Sequence, residues 1–487
     1  MAAAYRGDTF RAMSRALCLA VLCGLAGSPR PALASPRTDP TSGRAVFTGA
    51  TLPGATSIDL NPAAIGLTAI DEFYIAAMAV VDRFAIDRQN LDINTGALTP
   101  GASVHDLTFS PGFMLAYMGH IKDRGTIAIN LHSVPAEMFP AAEALRYHTL
   151  GGSHRTWAGT IAGQLRITND ILFGVSLALQ RHYLRLRYAR DTALENGHGA
   201  NGIDSDCLGS PCGVENPAAT ERYDVDVHSD SLSMITVNIG FVIQLAKDMW
   251  LGVAYHTPPG LAVQNELNGT MEVTRAPRDG GDVIRGGATV YLSQPASVDS
   301  ELRARITPEL DLHVGLRWED LSRLGAYDVR GYDPKFPPAG IPEWTERRLG
   351  FHDSLALWAG VEQVDAGETW RFGGRIGIET SSLLDNRTSP MAIAPTSLTA
   401  DLGVQLRLPF WTDVIVQATY GFQYFPTVNV RNSAFDPRDR IACIDSGYDY
   451  STPACQAVRL GFAIPTADGD YSRMEHAFRL GFRYVWR

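Results

Sequence analysis

The C-terminal segment Ala477–Arg487 alternates so strictly that it narrows the folds open to this chain. Phe478, Leu480, Phe482, Tyr484 and Trp486 share one face, while Arg479, Gly481 and Arg483 share the other. A period of two puts successive side chains on opposite faces of a strand. The pattern recurs upstream. Leu310, Leu312, Val314 and Leu316 interleave with Asp311, His313, Gly315 and Arg317. Leu398, Ala400, Leu402, Val404 and Leu406 interleave with Thr399, Asp401, Gly403, Gln405 and Arg407. Trp370, Phe372 and Ile376 alternate with Arg371, Gly373, Arg375 and Gly377. A water-soluble sandwich can carry such strands, so the connections between them must decide.

The connections are unequal. Short links fall at Lys122–Gly125, Thr168–Asp170, Ala246–Met249, Pro308–Glu309, Val364–Glu368 and Leu408–Thr412. Long polar links fall between them, at Asp191–His228, Leu321–Phe351 and Pro426–Tyr471. Short turns at one end and long loops at the other mark an outer-membrane barrel. Each short link joins two strands. With a first strand near Glu72–Ile86 and the terminal strand, the count predicts about fourteen. The expected fold is all-β, an antiparallel transmembrane β-barrel too wide for its own side chains to fill. The terminal aromatic face resembles the assembly signal of such barrels, except that Arg487 follows the last aromatic.

The N-terminus reads as an address. Arg6, Arg11 and Arg15 precede an apolar run, Ala16 to Ala26, and Ala32-Leu33-Ala34 offers a cleavage site. Residues 1–34 are therefore expected to be a removed leader, with a bacterial-type outer membrane as destination. Beyond it, no uncharged apolar run approaches the ~18–20 residues of a spanning helix. A net charge of −10 has the wrong sign for nucleic acid, and no nucleic-acid partner is expected. Four cysteines remain after the leader: Cys207, Cys212, Cys443 and Cys455. An exported chain suggests disulfides, and four cysteines allow three pairings. Close spacing favours Cys207–Cys212 and Cys443–Cys455. A shared zinc site is the rival, but neither pair has C-x2-C spacing.

Residues 35–70 do not read as membrane strands. Small residues dominate, and Asn61-Pro62 is a turn signal that interrupts a β-ladder. Such a segment could fold inside the barrel 71–487 as a plug, or trail as a loose terminus. Here the chain resembles the FadL/TodX outer-membrane transporters of long-chain fatty acids and other hydrophobic compounds. The resemblance lies in the Gly/Ala-rich entry, Asn61-Pro62-Ala63 before the first strand, Trp250–Pro258, and the Arg375–Gly377 strand followed by Ser389-Pro390. It implies a monomeric fourteen-stranded barrel closed by an N-terminal hatch, with Asn61, Pro62 and Ala63 in the hatch motif. It also implies passive uptake of a hydrophobic substrate, long-chain fatty acids first, and lateral exit at a kinked strand.

Partners implied are the substrate, outer-membrane lipid and lipopolysaccharide, and the barrel-assembly machinery; no cofactor and no metal are expected. Inward positions Arg303, Arg305, Arg317, Arg371 and Arg375 are head-group candidates. Inward acids such as Glu301, Asp311, Glu319 and Glu379 offer the ordinary alternative, structural ion pairs. Pro135 is the expected wall kink, with Gly119 and Gly163 as other weak points. Asp191–His228 and Gly260–Gly286 are candidate capture loops. Asp204 and Asp206 fall short of a calcium cage. The rival readings are a general diffusion porin and an outer-membrane lipase. Neither G-x-S-x-G nor H-E-x-x-H occurs, and His120, His132, His182 and His313 suit polar lumen positions. The chain is expected not to be an enzyme.

Overall fold

The computed structural model describes residues 45–91, 97–121, 125–192, 217–229, 234–261, 264–435 and 465–486, with isolated positions between 442 and 456. The leader 1–34, Cys207, Cys212, Asp204 and Asp206 lie outside the described residues.

Alternation becomes a closed wall. Its first strands are β1 (Asp71–Leu91), β2 (Leu98–Ile121) and β3 (Gly125–Ser133). A three-residue strand, β4 (Glu137–Phe139), precedes β5 (Gly152–Arg166) and β6 (Ile171–Asp191). After β7 (Thr220–His228), the wall resumes with β8 (Met234–Ala246) and β9 (Met249–His256). Then come β10 (Asn265–Thr274), β11 (Val283–Leu292), β12 (Ser297–Thr307), β13 (Leu310–Glu319), β14 (Ala326–Tyr332) and β15 (Trp344–Arg348). The chain ends with β16 (Ser354–Val364), β17 (Trp370–Glu379), β18 (Ser397–Leu408), β19 (Trp411–Val430) and β20 (Gly469–Trp486). Fourteen of these form the barrel, each antiparallel to its neighbours. The ring closes where Asp71–Arg88 of β1 pair with Trp486–Gly469 of β20. Closure joins the first strand to the last, so the sheet has no free terminal strand, as strands that span a membrane require.

The two faces divide as the sequence predicts. Val314, Ile376 and Leu402 are each more than half exposed, at 57%, 68% and 54%. Phe478, Leu480 and Phe482 lie on the same outer surface, where hydrocarbon rather than water meets them. Asp311, His313, Arg375, Asp401 and Arg479 are buried on the inner face.

Two long links are not irregular. Leu321–Phe351 contains β14 and β15, and Asp191–His228 contains β7. With the outer end of β6 and with β10 and β11, they build a second sheet in the order β6–β7–β10–β11–β14–β15. Tyr223, Val225, Val227, Leu267, Val273, Val290, Tyr327 and Val329 form its core. Pro426–Tyr471 is also shorter than expected, because β19 runs to Val430 and β20 begins at Gly469. Within that loop Cys443 and Cys455 are disulfide-bonded.

Candidate functional site: lumen and wall break

The N-terminal segment is held by its backbone. Inner-face guanidinium groups reach its carbonyls: Arg375 donates to Thr48 O (2.8 Å), Arg479 to Val46 O (2.8 Å) and Arg303 to Thr51 O (3.4 Å). Such charge-assisted bonds are among the stronger ones a protein makes. Glu301, on β12, accepts from the Thr51 N–H (3.2 Å) and from the Thr51 hydroxyl. Asp59 accepts from Asn130 and Thr160 on the opposite side of the ring, and His132 Nδ1 lies 3.6 Å from it.

Asn61, Pro62 and Ala63 occupy a notch in this wall. Asn61 Nδ2 donates to Ala50 O (2.6 Å) and to Phe241 O of β8 (3.1 Å), and its Oδ1 accepts from the Ala63 N–H (3.1 Å). Gly174 and Gly240 are cross-strand partners, and a Cβ on either would collide with Asn61, Pro62 or Ala63. Two paired glycines thus admit a turn that any larger pair would push away. All three residues are fully buried.

Each of the five candidate arginines stands beside an acid. Arg303 and Arg305 converge on Asp311, with Arg305 Nε at 3.1 Å. Arg317 binds Asp299 (3.0 Å) and Glu319 (2.8 Å), and Arg371 lies 3.5 Å from Glu362. Arg375 lies 4.0 Å from Glu301 as well as reaching Thr48. Among the four acids expected, Glu301, Asp311 and Glu319 take such pairs, while Glu379 accepts from Gln423 (3.3 Å). The histidines are likewise engaged. His120 bonds Asp71 (3.1 Å), His182 bonds His154 (3.0 Å), and His313 lies between Glu301 and Glu362.

Above the N-terminal segment lies a cavity of about 190 Å³. Val134, Pro135, Leu292, Leu324, Phe351 and Phe425 supply apolar walls, and Glu137, His154, Gln294, Glu319, Glu379 and Arg473 supply polar ones. Tyr327, from the second sheet, is fully buried there, and its hydroxyl lacks a hydrogen-bond partner among the described residues. Burial, reinforced by the nearby Glu137 carboxylate, holds that phenol well above its ordinary pKa, so it keeps its proton. Sequence reading did not single out Tyr327, Glu137, Gln423 or Arg473. The cavity is assembled from distant strands, and alternation says only that such residues point inward.

Pro135 falls where a wall strand stops. β3 pairs with β2 only from Gly125–Ile121 to Ser133–Phe113. Val134–Ala136 leave the ladder, and β4 then pairs with β5 at Gly152–His154. Over Leu98–Gly112, the described ladders give β2 a partner on the β1 side alone. A bond from the Ala141 N–H to Asp106 (2.7 Å) crosses the break. A Cβ at Gly112 would stand 2.6 Å from Ser133 O and 2.7 Å from the Pro135 ring, so the bare backbone here accommodates the bend. Gly119 and Gly163 sit instead inside continuous ladders. Pro135 lines the cavity within. Outside, a groove of about 1050 Å³ is lined by Leu107, Phe109, Phe139 and Trp157 together with charged Asp106, Arg155, Arg185, Arg187 and Asp226.

A closed barrel with an apolar girdle, a buried N-terminal segment and a broken wall strand defines a class: outer-membrane-type barrels with an occupied lumen. The comparisons narrow the fold further. A FadL homologue of Pseudomonas aeruginosa superposes with a TM-score of 0.71 at 14% identity, covering 93% of this chain and 99% of that one. The toluene transporter TbuX of Ralstonia pickettii gives 0.58 at 13% identity, with 92% and 98% covered. The Pseudomonas putida toluene transporter TodX gives 0.58 at 11% identity, with 94% and 99% covered. The fold is therefore that of the FadL/TodX hydrophobic-compound transporters. No family model and no curated protein matches the sequence.

Proposed function

We propose that this protein carries small hydrophobic molecules passively across the bacterial outer membrane, as a monomer. The N-terminal segment serves as the hatch, and the break at Val134–Ala136 serves as the lateral exit. One observation carries the reading. Pro135 is shared between the lumen cavity and a break in the wall, and a groove with Leu107, Phe109 and Trp157 among its lining lies outside that break. A substrate moving through it meets apolar side chains on both sides of the break, Val134 and Phe425 within and Leu107 and Phe109 without, and each buried CH2 is worth about 0.8 kcal/mol. It need not enter bulk water before reaching the bilayer. The hatch blocks free solute flow below the cavity, which distinguishes the protein from a general diffusion porin. The solved relatives named above are transporters and a transporter homologue, which favours transport over hydrolysis.

Long-chain fatty acids were the first expectation for the substrate. The ion pairs of the five arginines give that head group no dedicated cation, so the proposal is kept to hydrophobic compounds as a class. The test is paired. Cells expressing the protein should take up a labelled alkylbenzene in a saturable manner, and planar bilayers containing it should show no steady current. Uptake equal to that of cells without the protein, or a steady open conductance, would remove this reading and leave the porin.

A further inference from the structure

The cavity has a chemistry that names the head group of its ligand, and the inference rests on the transport reading above. Its lining carries three carboxylates, Glu137, Glu319 and Glu379, and one guanidinium, Arg473. Arg473 spends its fork on Asp82 (2.8 and 3.1 Å) and gives a further bond to Glu475 (3.3 Å). Arg317, beside the lining at Glu319 (2.8 Å), is likewise committed, to Glu319 and to Asp299 (3.0 Å), so an incoming carboxylate would meet acids whose cations are already engaged, in a site partly screened from water.

A hydroxyl meets the opposite reception. Tyr327 places a fully buried phenol in the lining without a partner among the described residues, and buried polar groups of this kind normally find one. The Tyr327 O–H can donate to a ligand hydroxyl, which in turn can donate to a carboxylate of the lining. One neutral group then satisfies both sides. The size fits a single ring with a short substituent. A cavity of ~150 Å³ holds benzene, and this one measures about 190 Å³.

We propose that the cavity selects hydrophobic molecules headed by a hydroxyl, alcohols or phenols, over carboxylates and over bare hydrocarbons.

The experiment uses the purified, delipidated full barrel in detergent, with detergent-only titrations subtracted. The probes are 4-butylphenol, 4-butylbenzoate and butylbenzene at pH 7. The phenol is expected to bind roughly tenfold more tightly than the benzoate, and several-fold more tightly than the hydrocarbon. In Tyr327→Phe, the preference for phenol over hydrocarbon should shrink below about twofold while hydrocarbon affinity is kept. In the double variant Glu319→Gln, Glu379→Gln, benzoate affinity should rise. Heat-modifiable gel mobility reports that each barrel is folded. Benzoate binding as tight as the phenol, or an undiminished phenol preference in Tyr327→Phe, overturns the inference while leaving hydrophobe binding intact. If none of the three probes binds saturably, the transport reading itself falls and takes this inference with it.

Discussion

The two halves of the lumen use polar side chains in opposite ways. Around the N-terminal segment, polar groups are spent on holding the chain: Arg375, Arg479 and Arg303 on its carbonyls, Glu301 on Thr51, and Asp59 on Asn130 and Thr160. In the cavity above it, a buried Tyr327 hydroxyl has no bond among the described residues, while the lining acids Glu319 and Glu379 lie beside Arg317 and Gln423. The barrel wall is the same in both. The first set ties a stretch of chain to the wall, whereas a lone buried hydroxyl is costly until something completes it. Under the proposed function, the first half stays shut and the second receives.

Releasing the shut half should have the largest effect. Arg375→Ala with Arg479→Ala strands two buried carbonyls, and each loss costs about 1–3 kcal/mol. Planar-bilayer recordings should change from no steady current to a persistent conductance, with the barrel still heat-modifiable on gels. A silent bilayer would show that these clamps do not hold the segment in place.

Next comes the wall break. Gly112→Val crowds Ser133 and Pro135, so the bend at β3 must shift. Whole-cell uptake of alkylbenzene should fall roughly tenfold, while equilibrium binding to the cavity stays within about twofold. Parallel loss of both would mean that the substitution damages the cavity and not the exit.

A smaller effect is expected at the notch. Gly240→Val pushes against Asn61 and should cost about 1–3 kcal/mol of overpacking. Protease sensitivity of the N-terminal segment should rise, with the girdle untouched. Unchanged protection would show that the turn can move without loss.

The smallest effect on transport should come from Cys443→Ser. The bond closes a loop of separation 12, which limits its worth to about 3 kcal/mol, felt inside the loop. Loop proteolysis should quicken while uptake is unchanged. Reduced uptake would extend the functional region to this loop.

Legibility followed the same division. The wall could be read because lipid outside and lumen inside impose a period of two, from Leu310 to Trp318 and again from Phe478 to Trp486. Pro135, expected as the kink from the family resemblance and from proline's missing N–H, stands just beyond the end of the β2–β3 ladder. The second sheet was missed although Tyr223, Val225 and Val227 alternate, because Asp224 and Asp226 between them read as loop polarity. The arginines were legible as inward, but their acids were fixed only by register: Arg303 reaches Asp311 across β12 and β13. The cavity could not be read at all. Pro135, Gln294, Tyr327, Glu379 and Gln423 meet only once the ring closes.

Over residues 46–51, three of the wall's bonds to the N-terminal segment fall on carbonyl oxygens, which every amino acid supplies. Val46, Thr48 and Thr51 are each held through that common atom by Arg479, Arg375 and Arg303. The side chain at Val46 is therefore at liberty to drift, within the limits of space, without loosening that bond, whereas Thr51 also gives its hydroxyl to Glu301. A lineage could revise the floor beneath its ligand while inheriting the lock unchanged.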